Sequence, residues 1–95
     1  MLLEIIKPGE IVSLRLTTGE ELVGTLKTES VDVIELAKPL IVGRSETGFG
    51  LMPYMMTVSP DTTAKIKQIH IMTLAKTNDE IGAGYQKQTS DIITS

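Results

Sequence analysis

Val12, Leu14 and Leu16 alternate with Ser13, Arg15 and Thr17. That period of two predicts a strand with one face in a core and the other wet. Thr18-Gly19 supplies a tight turn, since glycine takes positive φ freely. A second strand follows over 21–28, with Leu22, Gly24 and Leu26 on one face. Glycine weakens a strand interior, so Gly24 predicts a sharp bend or a close backbone approach, as at a barrel corner. A third element is predicted over 31–44. Val31 and Val33 share one parity, Ile34 and Leu36 the other, which calls for a bulge or bend. Pro39 offers no N–H and predicts an edge or a kink.

Residues 45–50 carry two glycines and read as a turn. A fourth strand is predicted over 51–58, interrupted by Pro53. Ser59-Pro60-Asp61-Thr62 fits a type I turn with proline second. A fifth strand is predicted over 64–75. Ile69 and Ile71 share a face with Lys65 and Lys67, and Ile66, Met72 and Leu74 share the other. Such a strand has apolar contacts on both sides. Thr77-Asn78-Asp79-Glu80 has the form of a capping box, in which Thr77 and Glu80 satisfy each other's backbone donors. A short helix over 77–88 follows, with Ile81, Tyr85 and Ile92 near one face. Gly82 and Gly84 weaken it by about 1 kcal/mol each relative to Ala, so it needs docking. Residues 89–95 read as a tail. Residues 1–9 form an N-terminal arm, either a first helical turn or extended, which Pro8-Gly9 ends.

Ninety-five residues suit one domain with a core of modest size. Only Phe49, Tyr54 and Tyr85 are aromatic, so Leu, Ile, Val and Met must fill that core. The net charge of −3 lowers the expectation of nonspecific phosphate binding, which draws on a basic face. The chain has no Cys, hence no disulfide, thiolate metal site or thiol nucleophile. No apolar run reaches the roughly 20 residues of a membrane span. Met1–Ile6 is too short for a signal core. The expectation is a soluble, unprocessed, cytoplasmic protein with no membrane partner.

The segment IVSLRLTTGEELVGTL, residues 11–26, resembles the first half of the first Sm motif. Val12, Leu14, Gly19, Leu22, Gly24 and Leu26 carry the resemblance. It implies the Sm-like fold: mainly β, a strongly bent five-stranded antiparallel barrel, here spanning 10–76 with a short C-terminal helix. VSLRLTTGEELVG, GFGLMPYMM and LAKTNDEIGAGYQKQTS together look like the short Sm-like proteins of marine tailed phages, which implies a phage-infected bacterial cell as the setting.

In RNA-binding Sm-like rings one loop supplies an Asp and an Asn that recognise a base. Counted from Gly24, those places fall on Ser30 and Ile34. Ser can hydrogen-bond, while Ile has no polar side-chain atom. Asp32 lies nearby but its carboxylate repels phosphate. The loop has no aromatic residue on which a base could stack. The second Sm motif carries an Arg-Gly or Lys-His pair at the last strand. Here the chain reads KIKQIHIMTL, with Lys67, Gln68 and His70 near that place and Ile69 between the last two. The resemblance thus implies a weakened RNA site built from Ser30, Asp32, Lys65, Lys67, Gln68 and His70. Each also has a plain reading. A lone His beside Gln68 suits a surface or an interface, and Lys65, Lys67 and Lys76 suit a solvated edge that discourages aggregation.

Catalysis finds no support in the residue pattern. Glu20 and Glu21, as strand neighbours, point to opposite faces. Asp79 and Glu80 suit a helix N-terminus. A single His with no elbow motif makes no triad, and GFG at 48–50 is no phosphate loop. The reading is a non-enzyme with no cofactor and no metal.

Assembly remains. LMPYMM, residues 51–56, is more apolar than a half-exposed strand needs. One reading is core filling by flexible Met. The other follows from the resemblance, because in Sm-like rings the fourth strand pairs with the fifth strand of the next subunit. The interface would then use Leu51, Met52, Tyr54, Met55 and Met56 against Ile66, Ile69, Ile71 and Met72. The resemblance implies a homo-oligomeric ring of about five to seven subunits, whose closure removes bare strand edges. Two alternatives stand beside it: an RNA-binding ring, and a phage adaptor that captures a protein through the Met/Tyr surface.

Overall fold

The computed structural model describes residues 6–46 and 48–94, with the backbone alone at 45 and 91–94. The predicted arm falls mostly on residues 1–5, outside the described residues. The strands are β1 (Ile11–Leu16), β2 (Glu21–Glu29), β3 (Val33–Ser45), β4 (Gly48–Pro53), β5 (Thr63–Lys67) and β6 (Ile71–Lys76). A 3-10 turn at Gln68–His70 joins β5 to β6, and a helix, α1 (Asp79–Thr94), ends the described chain. The protein is mainly β. Its strands form one antiparallel sheet in the order β4-β3-β2-β1-β6, with β5 also paired to β3, and the sheet is not closed.

The β1–β2 hairpin has the predicted alternation. Gly19 turns it at φ +105°, and Leu14 stands opposite Leu22. Gly24 sits opposite Val12 and under β3. A Cβ there would lie 2.7 Å from Leu36 Cδ2 and 3.2 Å from the Ala37 carbonyl oxygen. The glycine therefore allows two strands to approach where the sheet bends. The pairing of β2 with β3 shifts register at this point, between Val23 and Thr25, and again between Leu26 and Thr28.

The bend gives the sheet two apolar faces. Val12, Leu14, Leu22, Leu26, Ile34 and Leu36 form the inner core, with Leu16 and Ile66. Val23, Leu40 and Tyr85 form a second cluster, under α1, with Ile11, Val42, Leu51 and Ile81 packed against it. β3 serves both. Before Lys38 its even-numbered residues Ile34 and Leu36 face the inner core. After Lys38 the even-numbered Leu40 and Val42 lie under the helix, and Ile41 turns to the inner core. Lys38 has φ +49°, a left-handed conformation that costs a non-glycine residue roughly 1–2 kcal/mol. The predicted change of parity is thus placed at Lys38-Pro39, not near residue 33. It is also what lets β3 pair with β5 along Val33–Ala37 and with β4 along Leu40–Ser45.

Three predicted elements of the sheet differ. The turn over 45–50 is shorter, because β3 runs to Ser45 and β4 starts at Gly48. The fourth strand ends at Pro53, where the missing N–H halts the ladder, and 54–62 is irregular. The fifth strand is two strands. The 3-10 turn at Gln68–His70 resets side-chain direction, so Ile71 and Leu74 pack on the inner core instead of Ile71 sharing a face with Lys65.

The helix is longer than the predicted 77–88, running to Thr94. Its cap also differs. Asn78 Oδ1 accepts the Ile81 N–H at 2.8 Å, while the Thr77 hydroxyl bonds Ser13 Oγ at 2.7 Å instead. A Ser13 partner across the sheet draws Thr77 away from the helix, and Asn78 takes the N-cap. Tyr85 anchors the helix. It is 1% exposed, and its hydroxyl donates to the carbonyl oxygens of Ala37 at 3.0 Å and Lys38 at 2.9 Å. Thr25 Oγ1, at 3.2 Å, supplies the proton that the Tyr85 oxygen accepts. The clasp thus holds the kink of β3 in place. Gln88 Nε2 adds a bond to the Leu51 carbonyl at 2.9 Å. The side chain of Ile92, predicted on this face, lies outside the described residues.

Candidate functional site

The β2–β3 loop and the 3-10 turn meet at one end of the sheet. Ser30 closes the loop on itself: its Oγ donates to the Val33 carbonyl at 3.1 Å and accepts the Val33 N–H at 3.2 Å. The 3-10 turn docks on that loop. The Gln68 N–H donates to the Asp32 carbonyl at 2.8 Å, and Gln68 Nε2 donates to the Ser30 carbonyl at 3.0 Å. Val31, Asp32, Lys67, Gln68 and Ile69 rim a shallow cavity of about 580 Å³ there. Val31 is 92% exposed and Ile69 78% exposed. Of the residues the sequence proposed for RNA, the fold gathers Ser30, Asp32, Lys67 and Gln68 at this end. Ile34, at the expected Asn place, is buried in the inner core.

Lys65 and His70 go elsewhere. With Lys67 they line a second cavity, of about 500 Å³, between β5, the irregular 54–62 segment and the end of β1. Leu16, Leu40, Tyr54, Met55, Val58 and Ile66 supply its apolar wall. The His70 carbonyl accepts the Thr17 N–H at 2.8 Å, which fixes the 3-10 turn against the β1–β2 hairpin. These walls come from three separated stretches of chain, 16–18, 39–40 and 53–70, and no spacing in the sequence signals them.

The residues proposed for a subunit interface divide by burial. Ile66 is buried, and Tyr54 and Ile71 pack on the inner core. Leu51 packs on the second cluster. Met52, Met55, Met56, Ile69 and Met72 are exposed, Met56 at 88%. Exposed apolar residues therefore gather on β4, on the 54–62 segment, and at the start of β6.

The titratable groups with altered affinity for protons are structural. Burial raises the Tyr85 pKa, and the Thr25 bond works against it. The Lys7 N–H, donated at 2.9 Å, holds the Glu10 carboxyl below its usual range, helped by Lys76. The Thr18 hydroxyl does the same for Glu20. Among the described residues, no three His, Asp or Glu side chains gather as a metal site. No helix among them is long and apolar enough to cross a membrane. No family model matches the chain, and no curated protein matches it.

Proposed function

We propose that this chain is an Sm-like, non-enzymatic protein whose copies close into a homo-oligomeric ring that serves as a binding or structural module. The order of the strands is the observation that supports this most. β5 and β6 are joined by three residues, yet they lie at opposite sides of the sheet, β5 on β3 and β6 on β1. Each therefore keeps one edge without a partner among the described residues. Bare edges of this kind invite pairing with another chain. Because the two edges belong to different sides of one molecule, their pairing is head-to-tail, and head-to-tail contacts close as rings when the rotation from copy to copy divides a full turn. The segments that meet are 63–67 and 71–76, in place of the 51–58 and 64–75 that the sequence suggested. Exposed Met72 stands in one of them. The resemblance puts the ring at about five to seven copies.

Size-exclusion chromatography with light scattering at micromolar protein tests this. The expected mass is a closed multiple of 10.3 kDa, and Met72→Asp lowers it. A native chain that elutes as a 10.3 kDa monomer overturns the proposal.

A second reading, that the ring binds RNA, draws on the docking of Gln68 against Ser30 and Asp32. It brings the loop at 30–32 and the turn at 68–70, which the resemblance aligns with the two Sm motifs, to one end of the sheet with Lys67 beside them. Gel shift with short uridine- and adenine-rich RNA at two salt concentrations separates the readings. No shift at low salt ends the RNA reading, since phosphate contacts are strongest there.

A further inference from the structure

The cavity between β5 and the 54–62 segment has a composition that the rest of the chain does not share. Its wall is aliphatic, from Leu16, Leu40, Met55, Val58 and Ile66, with the Tyr54 ring the one aromatic. Its charged or titratable lining residues are Lys65, Lys67 and His70. No lining residue is Asp or Glu, although the chain has twelve of these against nine Lys and Arg. Glu35, opposite Lys65 in the strand register, does not line the cavity. Glu20, which accepts the Thr18 hydroxyl, and Asp61, which accepts the Ser59 hydroxyl, stand in turns near lining residues but do not line the cavity themselves. Among the described residues, neither Lys65 nor Lys67 makes an ion pair, whereas Arg15 and Lys76 do.

A volume of about 500 Å³ lies within the roughly 300–1,000 Å³ of small-molecule sites, which are mostly apolar with a few placed polar groups. We propose that this cavity binds a free amphipathic anion, an aliphatic chain ending in a carboxylate. The tail lies against the aliphatic wall, where burial of apolar surface supplies the affinity. The head lies at the lysine rim, where no carboxylate lines the cavity and neither lysine is ion-paired among the described residues, so the cations select the sign of the ligand. A nucleotide suits the site less well, since only Tyr54, itself packed on the inner core, and the His70 ring offer surfaces for stacking. The inference does not rest on the ring.

Sodium decanoate, titrated below its micelle concentration into the full chain as isolated, tests it. The readout is amide NMR shifts, with light scattering in parallel. Saturable shifts are expected at Leu16, Ile66 and Lys67, with the mass unchanged. Decyltrimethylammonium, with the same tail and the opposite charge, and adenosine monophosphate should each bind on the order of tenfold more weakly or not at all. Val58→Trp fills the cavity from a partly exposed position and should abolish the decanoate shifts. Lys65→Glu with Lys67→Glu should weaken binding on the order of tenfold while the thermal midpoint holds. No saturation by decanoate, or equal binding of the alkyl cation, overturns the proposal. So does undiminished binding to the Val58→Trp protein. Decanoate that acts only by separating copies assigns the cavity to a neighbouring subunit, and sedimentation with anionic vesicles without decanoate shifts assigns it to a membrane surface; either result also overturns it.

Discussion

Tyr85→Phe isolates the one hydroxyl that ties the helix to the kink of β3. The ring stays, so packing against Val23 and Leu40 is kept. What is lost is the donor to the Ala37 and Lys38 carbonyls, at 3.0 and 2.9 Å, and the acceptor for Thr25. A buried group left without its partner costs about 1–3 kcal/mol. The left-handed Lys38 beside it adds strain that the clasp holds in check. A loss of about 2 kcal/mol is expected, which for a domain of this size lowers the thermal midpoint by roughly 8–16 °C. Tyr85→Ala removes the ring as well and should cost about 3–5 kcal/mol. Urea unfolding followed by far-UV circular dichroism measures both. The alkaline limb gives a second readout. Burial keeps the phenol neutral and raises its pKa above the ordinary value of 10.0. The unfolded chain ionises first, so this contribution is whole below pH 10 and is lost as pH climbs through the folded-state pKa. Tyr85→Phe should lack that part of the alkaline loss. A Tyr85→Phe change under about 0.5 kcal/mol, the scale of ordinary surface substitutions, would refute the clasp.

Gly24→Ala should cost about 1–3 kcal/mol by overpacking, because the new methyl meets the branch point of Leu36 and the β3 backbone; a neutral result in urea melts would mean the strands are not this close. Asn78→Ala should cost about 1 kcal/mol through loss of the N-cap, whereas Glu80→Ala should be near neutral; the reverse order would restore the capping box. Ser13→Ala and Thr77→Ala should couple by about 0.5–1.5 kcal/mol in a double-mutant cycle, since their hydroxyls share one bond.

The parts of the fold legible in the sequence are those set by local pattern. Alternation over Val12–Leu16 and the glycines at 19 and 24 specify a bent hairpin, and the hairpin is there. Pro39 marks a kink, but the residue that takes the strained φ is Lys38, which no propensity would select. The division of 64–75 into two strands was not legible, because Ile69 keeps the alternation with Ile71 and no Gly or Pro marks a break at Gln68–His70. The turn exists because Gln68 bonds Ser30 and Asp32, 38 and 36 residues away. Thr77 shows the same limit: its sequence neighbours suit a cap, and a partner at Ser13 draws it off. Of the candidate site, Ser30, Asp32, Lys67 and Gln68 converge, while Lys65 and His70 turn to a cavity whose walls are far apart in sequence.

Amide hydrogen exchange on the edge strands tests the central claim most directly. In a lone molecule, the outward N–H groups of 63–67 and 71–76 face water and exchange within the dead time of the method. If sister copies pair those edges, the same amides are protected at micromolar protein and lose protection on dilution or in Met72→Asp. Free exchange at both edges in the native chain at every concentration would contradict the account.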